Sequence, residues 1–550
     1  MKHARKLILF ISLAAILTFS AAFVYQSDLF FQIKKNLTIF SDVYKEVAIQ
    51  YVDDVSPETL MERSINSMLE TLDPYTVFID EGEQRQMEIL SSGSYGGIGI
   101  DAGYRGDQIV IIAPLEGYPA QRAGLRPGDI IKEIDGVNVE GLTPEEVQQL
   151  TVGDIGSEID LKVQRPGFDQ AMDFTLTRER IEVKNIRYAA KIGEKQNFGY
   201  IQLVRFGQGT SEEVRETLLE MEQSGSFDGL ILDLRNNPGG LLNEAVSLVD
   251  KFIEPGVTVV ETRGRLESHN STLVSQEPAM YDDLPMIVLI NSGSASASEV
   301  VAGALQDLDR ALIVGETSFG KGLVQTVRPL SYNTSLKITV SKYYIPSGRS
   351  IQSIEYLHSN SGDNNRSVPD SLRRAFKTKN GRVVYDGNGI KPDIEFQEEP
   401  STMLDLALQK NNRYFFFVND LLANSEDSGR QEIPSDLFDR FTTYLVEDGF
   451  TYETPVDQHL AALETNIDNF SQERSARQNV DELNALLRDY KIAQIYQNEE
   501  FIDKKLKAEW ISQTKEDEER IKAVLELDEL VNISLDFLDN PYQYRTELRP

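Results

Sequence analysis

Between Phe198 and Tyr344, strand-like and helix-like segments alternate, and this alternation constrains the fold more than any other feature of the chain. Gly199–Leu203, Gly229–Leu234, Met286–Ile290 and Ala311–Val314 are short apolar runs that read as strands. Ser211–Gln223, Leu242–Phe252 and Ala297–Leu308 lie between them with helical periodicity. Strands joined through helices pair in parallel, and a parallel sheet needs helices over its faces. The stretch therefore predicts an α/β layer with active residues in loops at the carboxyl ends of strands.

The flanks differ in texture. Lys2, Arg5 and Lys6 precede an apolar run from Leu7 to Val24, a charged region followed by a hydrophobic one, so residues 1–25 read as a signal peptide or membrane anchor. Residues 36–90 form a helical N-terminal region. Ser56-Pro57-Glu58 starts a helix with Leu60, Ile65, Met68, Leu69 and Leu72 on one face, and Asp73-Pro74-Tyr75 stops it. Residues 95–181 change to short strands, glycine turns and a helix near Pro144–Leu150. The run Ala120-Gln121-Arg122-Ala123-Gly124-Leu125-Arg126-Pro127-Gly128-Asp129 resembles a PDZ domain of the bacterial protease type. Such domains bind extended C-terminal peptides by adding a strand. The loop Gly96, Gly97, Ile98 and Gly99 would hold the terminal carboxylate. Residues 401–550 read as helical, polar and acidic, with the cluster Tyr414-Phe415-Phe416-Phe417, and suit a scaffold or a homo-oligomer interface.

Composition removes whole classes of function. The formal net charge is −33 and no basic stripe is present, so no nucleic-acid partner is expected. The chain has no cysteine and 4 histidines, none within helical ligand spacing of another. A thiol nucleophile, a thiolate metal site and HExxH-type zinc chemistry are excluded, and neither metal nor cofactor is expected.

Two strand-to-helix loops carry chemistry. One is Asp233-Leu234-Arg235-Asn236-Asn237-Pro238-Gly239-Gly240, the other Asn291-Ser292-Gly293-Ser294-Ala295-Ser296-Ala297-Ser298-Glu299. A serine at a helix start has backbone N–H groups and the positive end of the dipole beside it, an arrangement suited to acyl transfer. The facing Pro-Gly-Gly turn can supply a second N–H. A serine hydroxyl needs a base, and with histidine scarce the candidate is Lys321 in Gly315-Glu316-Thr317-Ser318-Phe319-Gly320-Lys321-Gly322. A lysine base must be neutral, which burial promotes. If a strand starts by Lys321, Gln325 shares its face and can orient the amine.

From Leu230 to Gln325 the chain closely resembles the carboxyl-terminal processing, or tail-specific, serine proteases. The resemblance extends to the helical N-terminal segment, the PDZ module, a catalytic domain over 185–400 and the run Phe376 to Asp393 with Gly381-Arg382-Val383-Val384-Tyr385-Asp386-Gly387. It implies an α/β catalytic core of the crotonase and Clp-protease type, with an inserted-type, β-rich PDZ domain and helical N- and C-terminal regions. It also implies a Ser296–Lys321 dyad assisted by Gln325, and an oxyanion hole from the Ala297 N–H and the Gly239-Gly240 turn. The expected function is cleavage of exported proteins near apolar C-termini through an acyl-enzyme. The expected location is the bacterial cell envelope, periplasmic, with the N-terminal segment cleaved or kept as an inner-membrane anchor. The chain departs from many relatives at Val152-Gly153-Asp154, where they carry an arginine linked in some members to substrate sensing, and it exceeds the commoner family length at its C-terminus.

Rival readings exist for the same residues. Ser296-Ala297-Ser298-Glu299 is also a capping box. Ser318-Phe319-Gly320-Lys321 matches S-x-x-K, with Ser318 as nucleophile, but neither S-D-N nor K-T-G follows. Gly315–Lys321 mimics a phosphate-binding loop, yet position 322 is glycine where Mg²⁺ binding needs Ser or Thr. Asp233 and Glu299 read as loop and cap stabilisers and Asp307 as a surface residue. The alternative from another class is a catalytically inactive PDZ adaptor that captures protein C-termini.

Overall fold

The computed structural model describes residues 30–82, 93–105, 108–168, 170–195, 197–353, 371, 373–396, 402–423, 432–467, 473–515 and 517–550. The run Leu7 to Val24 lies outside them. Among the described residues no helix is long and apolar enough to cross a membrane. The described residues form two units, one of residues 30–82 and 325–339, the other of the remainder.

In the smaller unit, helix α1 spans 30–50 and α2 spans Pro57–Glu70. They are separate because Ser56 accepts from the Thr59 N–H at 3.2 Å and Pro57 fits the first turn. Asp73 Oδ1 takes the N–H groups of Tyr75 and Thr76, each at 2.8 Å, which turns the chain into strand β1, Val77–Ile79. β1 pairs antiparallel with Ser335–Lys337. Of the five residues expected on the buried face of α2, only Leu69 is buried; Met68 and Leu72 are exposed. Among the described residues of this unit, two helices and a ribbon form no second layer over that face.

The larger unit begins with the PDZ-like module. Its strands are β2 (Ser94–Gly97), β3 (Ile100–Arg105), β4 (Gln108–Pro114), β5 (Ile130–Ile134), β6 (Val137–Asn138), β7 (Glu158–Gln164), β8 (Met172–Thr177) and β9 (Glu179–Glu182). Helix α3 is Pro119–Arg122 and α4 is Pro144–Thr151. The main sheet runs β3-β4-β5-β7-β8, so β3 is an edge strand; β2 pairs with β9. The Ala-Gly-Leu-x-Pro-Gly-Asp motif has a structural reason. Asp129 is buried, takes the Arg126 N–H at 2.9 Å and is gripped by Arg165 at 2.7 Å, while the Ala120 N–H reaches the Ile98 carbonyl at 2.9 Å.

The core sheet runs β10-β11-β12-β15-β16-β21, where β10 is Ile186–Ile192, β11 Phe198–Leu203, β12 Gly229–Asp233, β15 Met286–Ile290, β16 Leu312–Gly315 and β21 Ile394–Glu395. β10 is antiparallel to β11 and every later pair is parallel. Helices α5 (Thr210–Gln223), α6 (Leu242–Asp250) and α7 (Ala297–Asp307) cover one face, packing Val214, Leu248, Val300 and Leu305 on Leu230, Leu232, Val288 and Ile290. Between β12 and β15 lie β13 (Thr258–Gly264) and β14 (Ser271–Val274). β17 (Leu323–Pro329), β18 (Ser335–Tyr344) and the hairpin β19–β20 (Ala375–Lys377, Val383–Tyr385) follow β16.

The C-terminal helices divide in two. From Met403–Lys410 (α8), Arg413–Ala423 (α9), Leu437–Glu447 (α10), Pro455–Asn466 (α11) and Glu473–Gln497 (α12) to Glu499–Thr514 (α13), most of the buried side chains form a separate core around Phe417, Phe441 and Trp510. Asp517–Glu526 (α14), Glu529–Asp539 (α15) and Pro541–Glu547 (α16) instead cover the second face of the core sheet. Leu530, Val531, Phe537 and Leu538 pack on Tyr200, Ile231, Ile287 and Leu289. Alternation along β12 sends Ile231 to this face and its neighbours Leu230 and Leu232 to the other. The acidic helical region 401–550 thus divides between a core of its own and the second face of the core sheet.

Candidate active site

The loops after β12, β15 and β16 meet at the carboxyl end of the sheet. Ser296 occupies the turn from β15 into α7 with φ 55° and ψ −113°. This is not the extended conformation of an ordinary capping serine, and for a non-glycine residue it costs about 1–3 kcal/mol. Such strain persists only where the surroundings fix it. The Ala297 N–H opens the helix, at a position with no intrahelical partner.

Glu299 does much of the fixing. It is fully buried, and its two oxygens collect donors from two loops. Oε2 accepts the Ser296 N–H at 2.8 Å and the Lys321 N–H at 2.8 Å; Oε1 accepts the Gly320 N–H at 2.6 Å and the Ser318 hydroxyl at 2.6 Å. Burial pushes the Glu299 carboxyl above the ordinary glutamate range, against the pull of these four donors. The capping-box pattern legible in the sequence is thus half of a larger clamp joining the Ser296 and Lys321 loops.

Ser318 is buried and spent on structure. Its hydroxyl donates to Glu299 and accepts the Ile390 N–H at 2.6 Å. This pairing counts against the S-x-x-K reading, which needs Ser318 as nucleophile. Lys321 lies two residues before β17, not within it, so alternation along the strand does not extend to Lys321. Its carbonyl accepts from the Tyr343 hydroxyl, and the next N–H, of Gly322, donates to Gln352 Oε1 at 2.7 Å. Gln325, in the smaller unit, donates its side-chain amide to Thr339 Oγ1 at 3.3 Å.

The Pro-Gly-Gly turn approaches Ser296 closely. A Cβ on Gly239 would stand 2.9 Å from Ser296 Cβ and 2.8 Å from the Ala297 nitrogen, and one on Gly240 would stand 2.2 Å from the Phe206 carbonyl oxygen. Only glycine fits either position, and both have positive φ, 97° and 148°. The Gly239 N–H is already given to Asn237 Oδ1 at 2.9 Å. Asn237 is buried; its carbonyl takes the Ala295 N–H at 3.0 Å and the Ser298 hydroxyl at 2.9 Å, tying the two loops together.

The structure corrects the reading of Asp307. It is 2% exposed, not a surface residue, and pairs with Arg349 at 2.9 Å, itself 1% exposed. Gln306, beside it, bonds Asp393 at 2.9 Å, which also pairs with Arg382 at 2.5 Å, so the run Phe376 to Asp393 braces the far end of α7. Asp233 is a stabiliser as expected. It takes the Tyr200 hydroxyl at 2.7 Å and both ends of the Arg235 fork.

In the PDZ-like module, the Ile98 and Gly99 carbonyls turn inward to the N–H groups of Ala120 and Leu115, each at 2.9 Å, and the Gly96 carbonyl accepts from Gly153 at 3.0 Å. Ile98 is buried. Gly96 and Gly97 lie in β2, paired with β9, so the expected four-residue loop is reduced to Ile98 and Gly99, which lead directly into the edge strand β3.

Comparison with known proteins agrees with this organisation. Residues 197–356 match peptidase family S41, residues 110–165 a PDZ domain, residues 20–83 the N-terminal domain of activating protease CtpB, and residues 404–538 the C-terminal helical domain of a "probable PDZ-protease". The chain is 39% identical over 323 residues to a carboxy-terminal-processing protease of Bartonella bacilliformis, covering 58% of this chain and 73% of that one. It is 32% identical over 435 residues to a "Probable CtpA-like serine protease" of Staphylococcus aureus, covering 77% of this chain and 84% of that one. Among solved structures, the photosystem II D1 C-terminal processing protease is 25% identical, with a TM-score of 0.36 over 68% of this chain and 96% of that one.

Proposed function

The chain belongs to peptidase family S41 as a carboxy-terminal-processing serine peptidase, and from that premise we propose that Ser296 is its nucleophile and Lys321 its general base. In this reading the neutral Lys321 amine takes the Ser296 hydroxyl proton as Oγ attacks the scissile carbonyl. The oxyanion is held by the Ala297 N–H and by the Gly240 N–H, since the Gly239 N–H is committed to Asn237. The amine returns its proton to the leaving group, and water then releases the acyl-enzyme. Gln325 is assigned to orient the amine only by the resemblance to the family, since Lys321 lies before β17 and strand alternation does not relate the two. The observation that carries the reading is the Glu299 clamp, which draws the strained Ser296 turn and the Lys321 loop onto one carboxylate. The inactive-adaptor alternative draws no support.

For substrate choice the proposed element is β3. An edge strand offers unpaired backbone groups to an incoming peptide, and the glycine loop before it, with its carbonyls turned inward, suits a terminal carboxylate. Ile- and Val-rich strands favour an apolar C-terminus. Export to the cell envelope rests on the charged and apolar run before Val24. The experiment uses an unstructured protein ending in apolar residues, with fragments mapped by mass spectrometry. Cleavage by the native chain and none by Ser296→Ala is expected; equal fragmentation by both would refute it.

A further inference from the structure

The turn that presents Gly240 is anchored by a residue far along the chain, in the helices that cover the second face of the sheet. Leu234 to Gly240 contains three positive-φ residues, Asn236, Gly239 and Gly240. Asn237 fixes the turn from within. From without it is held by Arg235, whose fork grips Asp233 through Nε at 3.0 Å and through a terminal nitrogen at 2.6 Å. The same terminal nitrogen reaches Asp528 at 2.8 Å.

Asp528 belongs to the last stretch of the chain. It caps α15, accepting the Leu530 N–H at 3.0 Å and the Val531 N–H at 3.2 Å. α15 is fixed on the catalytic sheet by Leu530, Val531, Phe537 and Leu538, and α16 by the Tyr544 hydroxyl on Met286. A helix seated this firmly makes Asp528 a stationary acceptor. Arg235 is thereby stretched between a strand residue that is wholly buried and a cap on the opposite layer. Planar guanidinium forks transmit orientation well, because both partners constrain one rigid plane.

We propose that Asp528 is a positioning residue for the reaction, holding Arg235 so that the Leu234–Gly240 turn keeps the Gly240 N–H aimed at the oxyanion. This rests on the Ser296 reading above. It gives the C-terminal helices a part in transition-state stabilisation and not only in covering the sheet. Because the donor acts on charge that develops during the reaction, its misplacement lowers kcat more than it raises KM.

The test uses the full chain with Asp528→Asn and Asp528→Ser. Both replacements retain a good helix cap while removing the charge that Arg235 meets. The expected result is a fall in kcat of about tenfold in each, with KM within about twofold and the thermal midpoint nearly unchanged. Labelling of Ser296 by an organophosphorus reagent, whose phosphoryl oxygen enters the same hole, should slow in parallel. In a cycle with Arg235→Gln the two losses should not add. Native kcat in both Asp528 variants, or a loss that only follows the fraction unfolded, overturns the proposal. Ser296→Ala is measured beside them. If it stays active, the Ser296 reading itself fails; if it is dead while the Asp528 variants are native-like, only this inference fails.

Discussion

Glu299 binds the Lys321 backbone N–H at 2.8 Å through the same oxygen that binds the Ser296 N–H. One buried carboxylate therefore sets the separation of two loops that come from different strands. The proposed acid–base chemistry depends on that separation.

Glu299→Gln should disturb it. An amide nitrogen would replace one acceptor oxygen and face donors, leaving buried N–H groups unpaired. A loss of about 1–3 kcal/mol in stability is expected, together with a fall in kcat of about 100-fold. Denaturant unfolding and peptide-release kinetics would read the two effects separately.

Protonation of Glu299 should lower kcat as the glutamine does, but without the loss of stability. Its folded carboxyl is raised by burial, so the folded state holds the proton more tightly than the unfolded state does. As pH falls through the folded value, this group adds stability but loses an acceptor site. The acid limb of kcat/KM should thus appear above the ordinary glutamate range without a matching fall in the thermal midpoint from this group. An acid limb coincident with unfolding would contradict the assignment.

Lys321→Arg should be nearly as inactive as Lys321→Ala, because arginine stays protonated and cannot accept the serine proton. The native rate should rise with pH as the lysine base becomes neutral. Substantial activity in the arginine variant would remove Lys321 from the role.

Asp307→Ala should cost about 3–5 kcal/mol by stranding the buried Arg349 charge. Because the pair braces α7 away from Ser296, kcat per folded molecule should stay near native. Chemical denaturation followed by active-site-normalised kinetics tests both statements.

Much of the core was legible in the sequence because its signals are local. Alternating apolar runs gave β11, β12, β15 and β16 to within a residue or two, and the glycine turns marked the loops. Ser296, Lys321 and the Gly239-Gly240 turn stood out because a helix start, a scarce base and a close approach each leave a compositional trace. What stayed hidden depends on partners distant along the chain. Asp307 looked exposed because its mate Arg349 lies 42 positions on. The Ser318 hydroxyl looked available because Glu299 and Ile390 are brought to it only by folding. Asp528 sits 293 positions from Arg235, and no local pattern could join them. The exposure of Met68 and Leu72 was unreadable for the opposite reason: helical periodicity marks a face that is apolar but not whether anything covers it.

Peptides ending in a free carboxylate should be cut faster than the same peptides ending in an amide, and deleting Tyr95 to Ile181 should erase the difference. Equal binding and cleavage of the two would show that the edge strand and glycine loop do not read the terminus.

The most direct measurement is covalent. The full chain is treated with an organophosphorus serine reagent at mildly alkaline pH, digested, and the adduct located by mass spectrometry. A single modification on Ser296, lost in Ser296→Ala and strongly slowed in Lys321→Ala, is the predicted result. An adduct on Ser318, or labelling of Ser296 indifferent to Lys321, would contradict the Ser296–Lys321 assignment.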